Sequence, residues 1–272
     1  MVKNTFLVFA FAAMLLFAGF TNGQTPVWTN TLENDATSTV DGGAIVNPPS
    51  SYVPGSHGNA FAGNGSVYAS WDNADVATIF DGVWDNDAGS TVDLSFRGDH
   101  WDTHSGDSGL WSVVDRLDGP DGYYIVSVRD GSLRFPYKDS YTNYSEAPHL
   151  TGVTLANDTT YRLTVRQLDN NFEVYLDGGA YSNGSPVYSD NTWDETIAFP
   201  QENGGSGSSG RQMNVGNRSS FFGGMLQSGE WVDSIRVYNG YHTPAEIGVI
   251  PEPCSLLLLS IGALPLLRRK RG

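Results

Sequence analysis

The densest gathering of chemically capable side chains in this 272-residue chain is the stretch RGDHWDTHSGDSG over 97–109. His100, Asp102, His104 and Asp107 supply imidazole and carboxylate groups that a curled loop would gather around a metal ion. Alternation outward from a strand end would turn His100, Asp102 and His104 to one side. No established metal-ligand spacing is matched, so a solvated polar loop is the competing reading. The same stretch supports a second chemistry. A pyranose offers an apolar C–H face and a rim of hydroxyls, which an aromatic ring flanked by carboxylates and amides can hold. Trp101 with Asp99 and Asp102, and Trp84 with Asn86, have that composition. Their acidic, Gly-rich surroundings mark these two as the exposed tryptophans, the others being expected in the core. Trp71, Trp84, Trp101 and Trp193 each precede an Asp, but their spacings of 13, 17 and 92 residues exclude a propeller-blade repeat of about 40.

Catalytic patterns are sparse. Glycoside hydrolysis on a sandwich scaffold places paired carboxylates across the scissile bond, as a Glu-x-Asp-x-x-Glu strand does. No such triplet occurs, and Glu173, the one glutamate in a strong strand pattern, has no acidic residue two positions on. The Gly-x-Ser-x-Gly elbow of serine hydrolases is also missing. A binding or structural module is the first expectation. The alternatives are a glycan-active hydrolase or lyase whose carboxylates come from separate strands, and a protein–protein adhesion module.

The elements that must position these groups have a period of two. TVDLSFR (91–97), GYYIVSVR (122–129), YRLTVRQL (161–168), NFEVYL (171–176) and WVDSIRVY (231–238) alternate side chains or are rich in β-branched and aromatic residues, the signature of strands. Between them, DGPDG, RDGS, LDNN and LDGG supply the Gly, Asn and Asp that tight turns require. With 32 glycines and no long amphipathic pattern, the body is expected to be an all-β antiparallel sandwich or jelly roll. VWTNTLEND reads as an edge or closing strand, NPPSSYVPGSHG (47–58) as linker-like, and ENGGSGSSGRQ (202–212) as an insertion loop. TPAE (243–246) has the capping signals of a single helical turn after the last strand. One domain over 24–247 is expected, long enough for a single core.

The segment order GNAFAGNGSVYASW, STVDLSF, YYIVSVRDGSLRF, YRLTVRQLDNNFEVYLDGG, MNVGN and FFGGMLQSGEWVDSIRVYNGYHTPAEI resembles that of laminin G-like, concanavalin A-like jelly rolls. Its sharpest parts are the hairpin ending VYLDGG and the closing strand GEWVDSIRVYNG, where a serine follows Asp233 and the preceding FFGGML is less regular than usual. The resemblance implies the jelly-roll fold and a calcium ion at the sandwich rim. Asp72 with Asp75, Asp85 with Asp87, and Asp233 in the closing strand are the carboxylates it would draw on.

Both ends of the chain carry delivery signals. Lys3 precedes an apolar run from Phe6 to Phe20, and GFTNGQ comes after it, the layout of a secretory signal peptide over 1–23. The last 25 residues, 248–272, contain Pro251-Glu252-Pro253, an apolar run and the basic cluster Arg268, Arg269, Lys270, Arg271. They resemble a PEP-CTERM sorting tail, found on exported proteins of bacteria with an outer membrane and extracellular polysaccharide. That resemblance implies an exosortase-type processing enzyme as a partner. A hydrophobic helix is expected at each terminus, and the C-terminal one, Cys254–Leu267, is shorter than the roughly 20 residues that span a bilayer comfortably. Membrane contact is therefore expected to be transient. Cys254 is the only cysteine, so no intramolecular disulfide can form. Without its ends, the body over 24–250 keeps 10 basic and 29 acidic residues, a net charge of −19. Phosphate backbones and anionic lipid repel such a surface, which excludes nucleic acid; the exported setting that the sorting-tail resemblance implies makes extracellular polysaccharide or surface proteins the expected partners.

Overall fold

A computed structural model of the chain describes residues 24, 26, 28–30, 44–46, 53–55, 59–66, 68–71, 89–103, 106–115, 123–135, 137–138, 144–145, 153–168, 171–191, 211–217 and 224–248. Among them no helix occurs, and the regular structure is all strand. In chain order the strands are β1 (Trp28–Asn30), β2 (Ala44–Val46), β3 (Val53–Pro54), β4 (Asn59–Ala62), β5 (Tyr68–Trp71) and β6 (Ser90–Arg97). Next come β7 (Asp107–Asp115), β8 (Tyr123–Arg129), β9 (Ser132–Arg134), β10 (Tyr137–Lys138) and β11 (Tyr144–Ser145). The last five are β12 (Tyr161–Leu168), β13 (Asn171–Asp177), β14 (Tyr188–Asp190), β15 (Arg211–Val215) and β16 (Trp231–Asn239).

Two antiparallel sheets result. The first runs β14-β13-β12-β6-β16-β4-β3, with β1 also on β16; the second runs β11-β10-β8-β7-β15-β5-β2, with β9 on β8. Period-two sequence explains the layering. In β12, Tyr161, Leu163 and Val165 turn inward, as do Phe172, Val174 and Leu176 in β13 and Val92, Leu94 and Phe96 in β6. They share one core with Trp71, Trp111, Val113, Val126 and Met213 of the second sheet. Two sheets burying one apolar face each against the other is the stable solution for such strands. Both sheets belong to the unit Thr25–Thr243; a second unit comprises Met1–Gln24 and Pro244–Gly272.

The strands expected at 91–97, 122–129, 161–168, 171–176 and 231–238 are β6, β8, β12, β13 and β16, with ends shifted by at most one residue. RDGS is the tight turn from β8 to β9, with Asp130 at φ 49° and Gly131 at φ 72°, left-handed values that an Asp-Gly pair tolerates. VWTNTLEND does supply a strand, β1, paired with the closing strand β16. Three expectations change. The linker-like 47–58 contains β3, whose Pro54 sits on a strand at the end of the sheet order, where a missing N–H is tolerated. The polar stretch 97–109 is not all loop, because β7 already begins at Asp107, paired with Arg129. Pro244–Glu246 forms a turn and not a turn of helix. The two terminal segments expected to be helical lie outside the described residues.

Candidate functional site

The antiparallel order brings four loops to one end of the sandwich. At that end β6 finishes at Arg97, which faces Trp231 at the start of β16, while Phe96 faces Tyr161 at the start of β12. Backbone hydrogen bonds then tie the loops together. Asp158 N–H donates to Gly98 O at 2.9 Å and Leu155 N–H to Gly131 O at 3.4 Å, while Glu230 N–H donates to Gln227 O at 3.1 Å within its own loop. The resulting rim carries 97–103 and Gly106, the β8–β9 turn, 153–160 and 227–230.

Its side chains form donor–acceptor pairs. Asn157 Nδ2 donates to Asp102 Oδ1 at 2.6 Å, and Asp102 N–H donates back to Asn157 Oδ1 at 3.3 Å. Arg97 Nη2 donates to Asp158 Oδ1 at 2.8 Å. His100 Nδ1 lies 2.5 Å from Asp99 Oδ1, and its Nε2 lies 3.7 Å from Oε1 of the buried Glu230. Asp99, Asp102 and Asp158 are all exposed. A carboxylate held beside an amide or guanidinium presents acceptors and donors together, the requirement for neighbouring hydroxyls of a sugar.

The predicted sugar platform is corrected in one respect. Trp101, expected exposed, is 1% exposed and belongs to the core. Thr103 N–H donates to His100 O, so 100–103 turns back on itself instead of alternating like a strand, and the indole swings inward onto Phe96 at a 6.1 Å centroid distance. Gly98 makes room: a Cβ there would lie 2.5 Å from the indole ring. Polar neighbours at 99, 100, 102 and 103 thus report on the outside of the turn and not on the tryptophan. Trp84 and Asn86, the other half of the platform, lie outside the described residues.

The metal expectations divide between residues that are described and residues that are not. Asp72, Asp75, Asp85 and Asp87 lie outside the described residues, as does His104. Asp107 is engaged by the fully buried Arg134 at 2.8 Å, with Arg129 at 3.9 Å, and does not join His100 and Asp102. Asp233 sits buried on the core-averted face of the first sheet, opposite Ser95 and beside a bulge at Ser234, whose φ is 53°. It is not drawn toward the rim carboxylates because strand alternation holds it on that face. Among the described residues no group of three or more His, Cys, Asp or Glu is placed to hold a metal ion. Pro251, Glu252, Pro253, Arg268, Arg269, Lys270 and Arg271 are likewise outside the described residues.

Sequence reading missed a polar layer on the core-averted face of the first sheet. Asp93 of β6 accepts hydrogen bonds from Arg162 Nε at 2.8 Å, from Thr164 Oγ1 at 2.7 Å and from Arg236 Nη2. One step toward the hairpin end, Arg166 donates to Glu173 Oε2 from Nε at 2.7 Å and also from Nη2, and Tyr175 donates to the same oxygen at 2.8 Å. The segment after β16 crosses this face. Thr91 Oγ1 donates to Gly240 O and accepts from His242 N–H, and Tyr241 lies under the Arg166 guanidinium at 4.0 Å. Asp177, four residues after Glu173, ends β13 on the same face and is exposed.

Electrostatics define what this layer can do. Burial by itself would raise the Glu173 carboxyl, but hydrogen bonds from Arg166 and Tyr175, with the guanidinium charge, outweigh it and hold the group below its usual range. Burial, and after it the hydrogen bond to Glu173, pushes the Tyr175 hydroxyl up to about 12, so it stays a donor at physiological pH. Such a layer binds and stiffens. Glu173 is stabilised there as the anion.

No protein-family model matches the chain, and no curated protein matches its sequence. Among solved structures, domain 4 of AbnA, an extracellular arabinanase from Geobacillus stearothermophilus, in complex with arabinotriose, is similar at a TM-score of 0.56. That match has 14% identity and covers 83% of this chain and 97% of that one. Trypanosoma rangeli sialidase in complex with sialic acid matches at 0.48 with 19% identity, covering 75% of this chain and 28% of the sialidase chain. The Ruminococcus gnavus sialidase CBM40 bound to α2,3-sialyllactose matches at 0.43 with 8% identity, over 59% of this chain and 80% of that one. The likeness to the arabinanase domain is one of fold.

Proposed function

We propose that the protein is an exported, non-catalytic module that holds an extracellular polysaccharide at its rim, on a jelly roll of the laminin G-like, concanavalin A-like kind. The observation that carries this reading is the Asp102–Asn157 pair, an exposed carboxylate and a half-buried amide joined by two hydrogen bonds on the loop whose Trp101 is anchored in the core. A domain of the same fold has been captured with arabinotriose, which makes a short neutral oligosaccharide the first ligand class to test. Acid–base hydrolysis needs one carboxyl whose proton is retained near neutrality. Glu173 is shifted in the opposite direction.

Display at a surface would suit a module of this kind. Single shallow sites of this type bind at roughly millimolar to micromolar strength, and retention comes from many copies on one surface.

Calorimetric titration of the protein with arabinotriose, xylotriose and cellotriose tests the binding reading, alongside a reducing-sugar assay on the parent polymers. Binding of at least one, a loss of about tenfold on Asp102→Ala or Asn157→Ala, and no release of reducing ends are expected. Folded protein that binds none of them would move the reading to protein–protein adhesion, and released reducing ends would make it a hydrolase. The delivery reading is checked separately by intact mass of protein from its native host. Residues 1 to about 23 and most of the chain beyond Glu252 should be missing. Full-length protein lodged in the membrane would overturn it.

A further inference from the structure

Trp101 leaves the rim without the aromatic surface its polar flanks predict, and one other side chain is placed to supply it. After β13, the Gly178–Gly179 turn sends the chain back on itself. Tyr181 then exchanges two backbone hydrogen bonds with Gly178, of 3.0 and 3.3 Å. The ring is clamped at both ends. Its hydroxyl accepts from Thr154 N–H at 2.7 Å and donates to Thr154 O at 3.2 Å. Its body packs on Tyr161 at a 6.4 Å centroid distance and 51°. Tyr161 in turn is stacked on Phe96 at 5.6 Å, and its own hydroxyl accepts from Ala156 N–H at 2.7 Å. Tyr181 is nevertheless partly exposed, and its neighbours Ala180, Ser182 and Gly184 are small and exposed.

Three other tyrosines of the described residues, Tyr175, Tyr241 and Tyr188, are occupied. Arg166 lies 5.2 Å from the centre of the Tyr175 ring and 4.0 Å from that of Tyr241. Tyr188 bonds Asp190 and packs on Phe172 at the sheet edge. Among the described residues, Tyr161 is the only ring on Tyr181, and no guanidinium covers it. Asn157 lies three residues after Thr154, so the backbone that clamps the Tyr181 hydroxyl is at most about 10 Å from the polar pair.

We infer that Tyr181 is the stacking platform of the rim, with the Asp102–Asn157 pair holding the hydroxyls of the same oligosaccharide. The inference rests on the glycan-binding reading above and names where the apolar face of the sugar lies. A ring already fixed by two hydrogen bonds and a core contact loses little freedom on binding, so its contact area counts toward affinity.

The test titrates the whole protein with arabinotriose, xylotriose and cellotriose by calorimetry, comparing wild type with Tyr181→Phe, Tyr181→Leu and Tyr181→Ala. Tyr181→Phe keeps the π face and should bind within about threefold of wild type, whereas Tyr181→Leu and Tyr181→Ala should weaken the best-bound trisaccharide by about tenfold or more. Tyr181→Leu retains core-filling bulk, so its melting curve separates lost binding from lost folding. Wild-type affinity in folded Tyr181→Leu overturns the platform. If Asp102→Ala abolishes binding while Tyr181→Leu and Tyr181→Ala do not, the rim reading stands and the platform falls. If wild type binds none of the three, the glycan reading and this one fall together.

Discussion

Replacing Trp101 with alanine is expected to destabilise the protein by about 3–5 kcal/mol, the range for removing a buried large aromatic side chain. For a domain of this size the melting temperature should fall on the order of 10 °C. The indole is 1% exposed and starts a row of rings through Phe96 and Tyr161 to Tyr181, with centroid separations of 6.1, 5.6 and 6.4 Å. Removing it leaves a cavity under the loop that carries Asp99 and Asp102. Surrounding strands cannot close such a void without losing their register, so the lost contacts are not recovered. Trp101→Phe should cost less because part of the ring volume remains. Gly98→Ala should itself be destabilising, since the new methyl would meet the indole at 2.5 Å. Urea unfolding of the three variants measures the effect. A Trp101→Ala protein within about 1 kcal/mol of wild type that had lost sugar binding would return Trp101 to the surface role its polar flanks suggested.

Trp101 also shows which signals a sequence carries and which it does not. Alternation is local, so YRLTVRQL becomes β12 at its expected bounds, and NFEVYL becomes β13 with one added residue. The pairing of those two strands is equally legible. A two-residue connection between Leu168 and Asn171 sets Arg166 opposite Glu173, and the salt bridge is a consequence of register alone. Burial of a loop side chain has no such local mark. DHWDTH reads as solvated because five of six residues are polar, yet a single turn from His100 to Thr103 is enough to send the sixth inward. Asp107 reads as loop for a related reason. Its β-strand is held partly by the buried Arg134, 27 residues away, and no pattern at 107–109 announces that partner. The rim itself is a product of long-range order: Asp102 and Asn157 are 55 residues apart and meet only because β6 and β12 are neighbours. Tyr181 lies in plain view within DGGAYSNGS, but nothing short of the Gly178–Tyr181 bridge shows its ring lying beside Thr154.

Asp93→Ala is expected to cost about 3–5 kcal/mol, as large as the loss at Trp101 and for an electrostatic reason. Asp93 is 1% exposed, in the centre of the first sheet, with Thr164 of β12 on one side and Arg236 of β16 on the other. Its oxygens receive Arg162, Thr164 and Arg236 together, and the arginines are themselves nearly or largely buried. Deleting the carboxylate takes the shared counter-charge from two guanidinium groups in a poorly solvated layer, and that penalty exceeds the value of any single hydrogen bond. Asp93→Asn keeps the shape and one acceptor, so it should fall between Asp93→Ala and wild type. The diagnostic variant removes the whole network. Asp93→Leu combined with Arg162→Met and Arg236→Met takes out all three charges at once, and should recover most of the stability lost in Asp93→Ala, because paired burial of charge gains little over apolar packing. Chemical unfolding of single and triple variants decides the matter. A triple variant no more stable than Asp93→Ala would mean that the layer owes its stability to the arginines' contacts and not to pairing. A loss below about 1 kcal/mol in Asp93→Ala itself would mean that water reaches this face and screens it, as at exposed pairs.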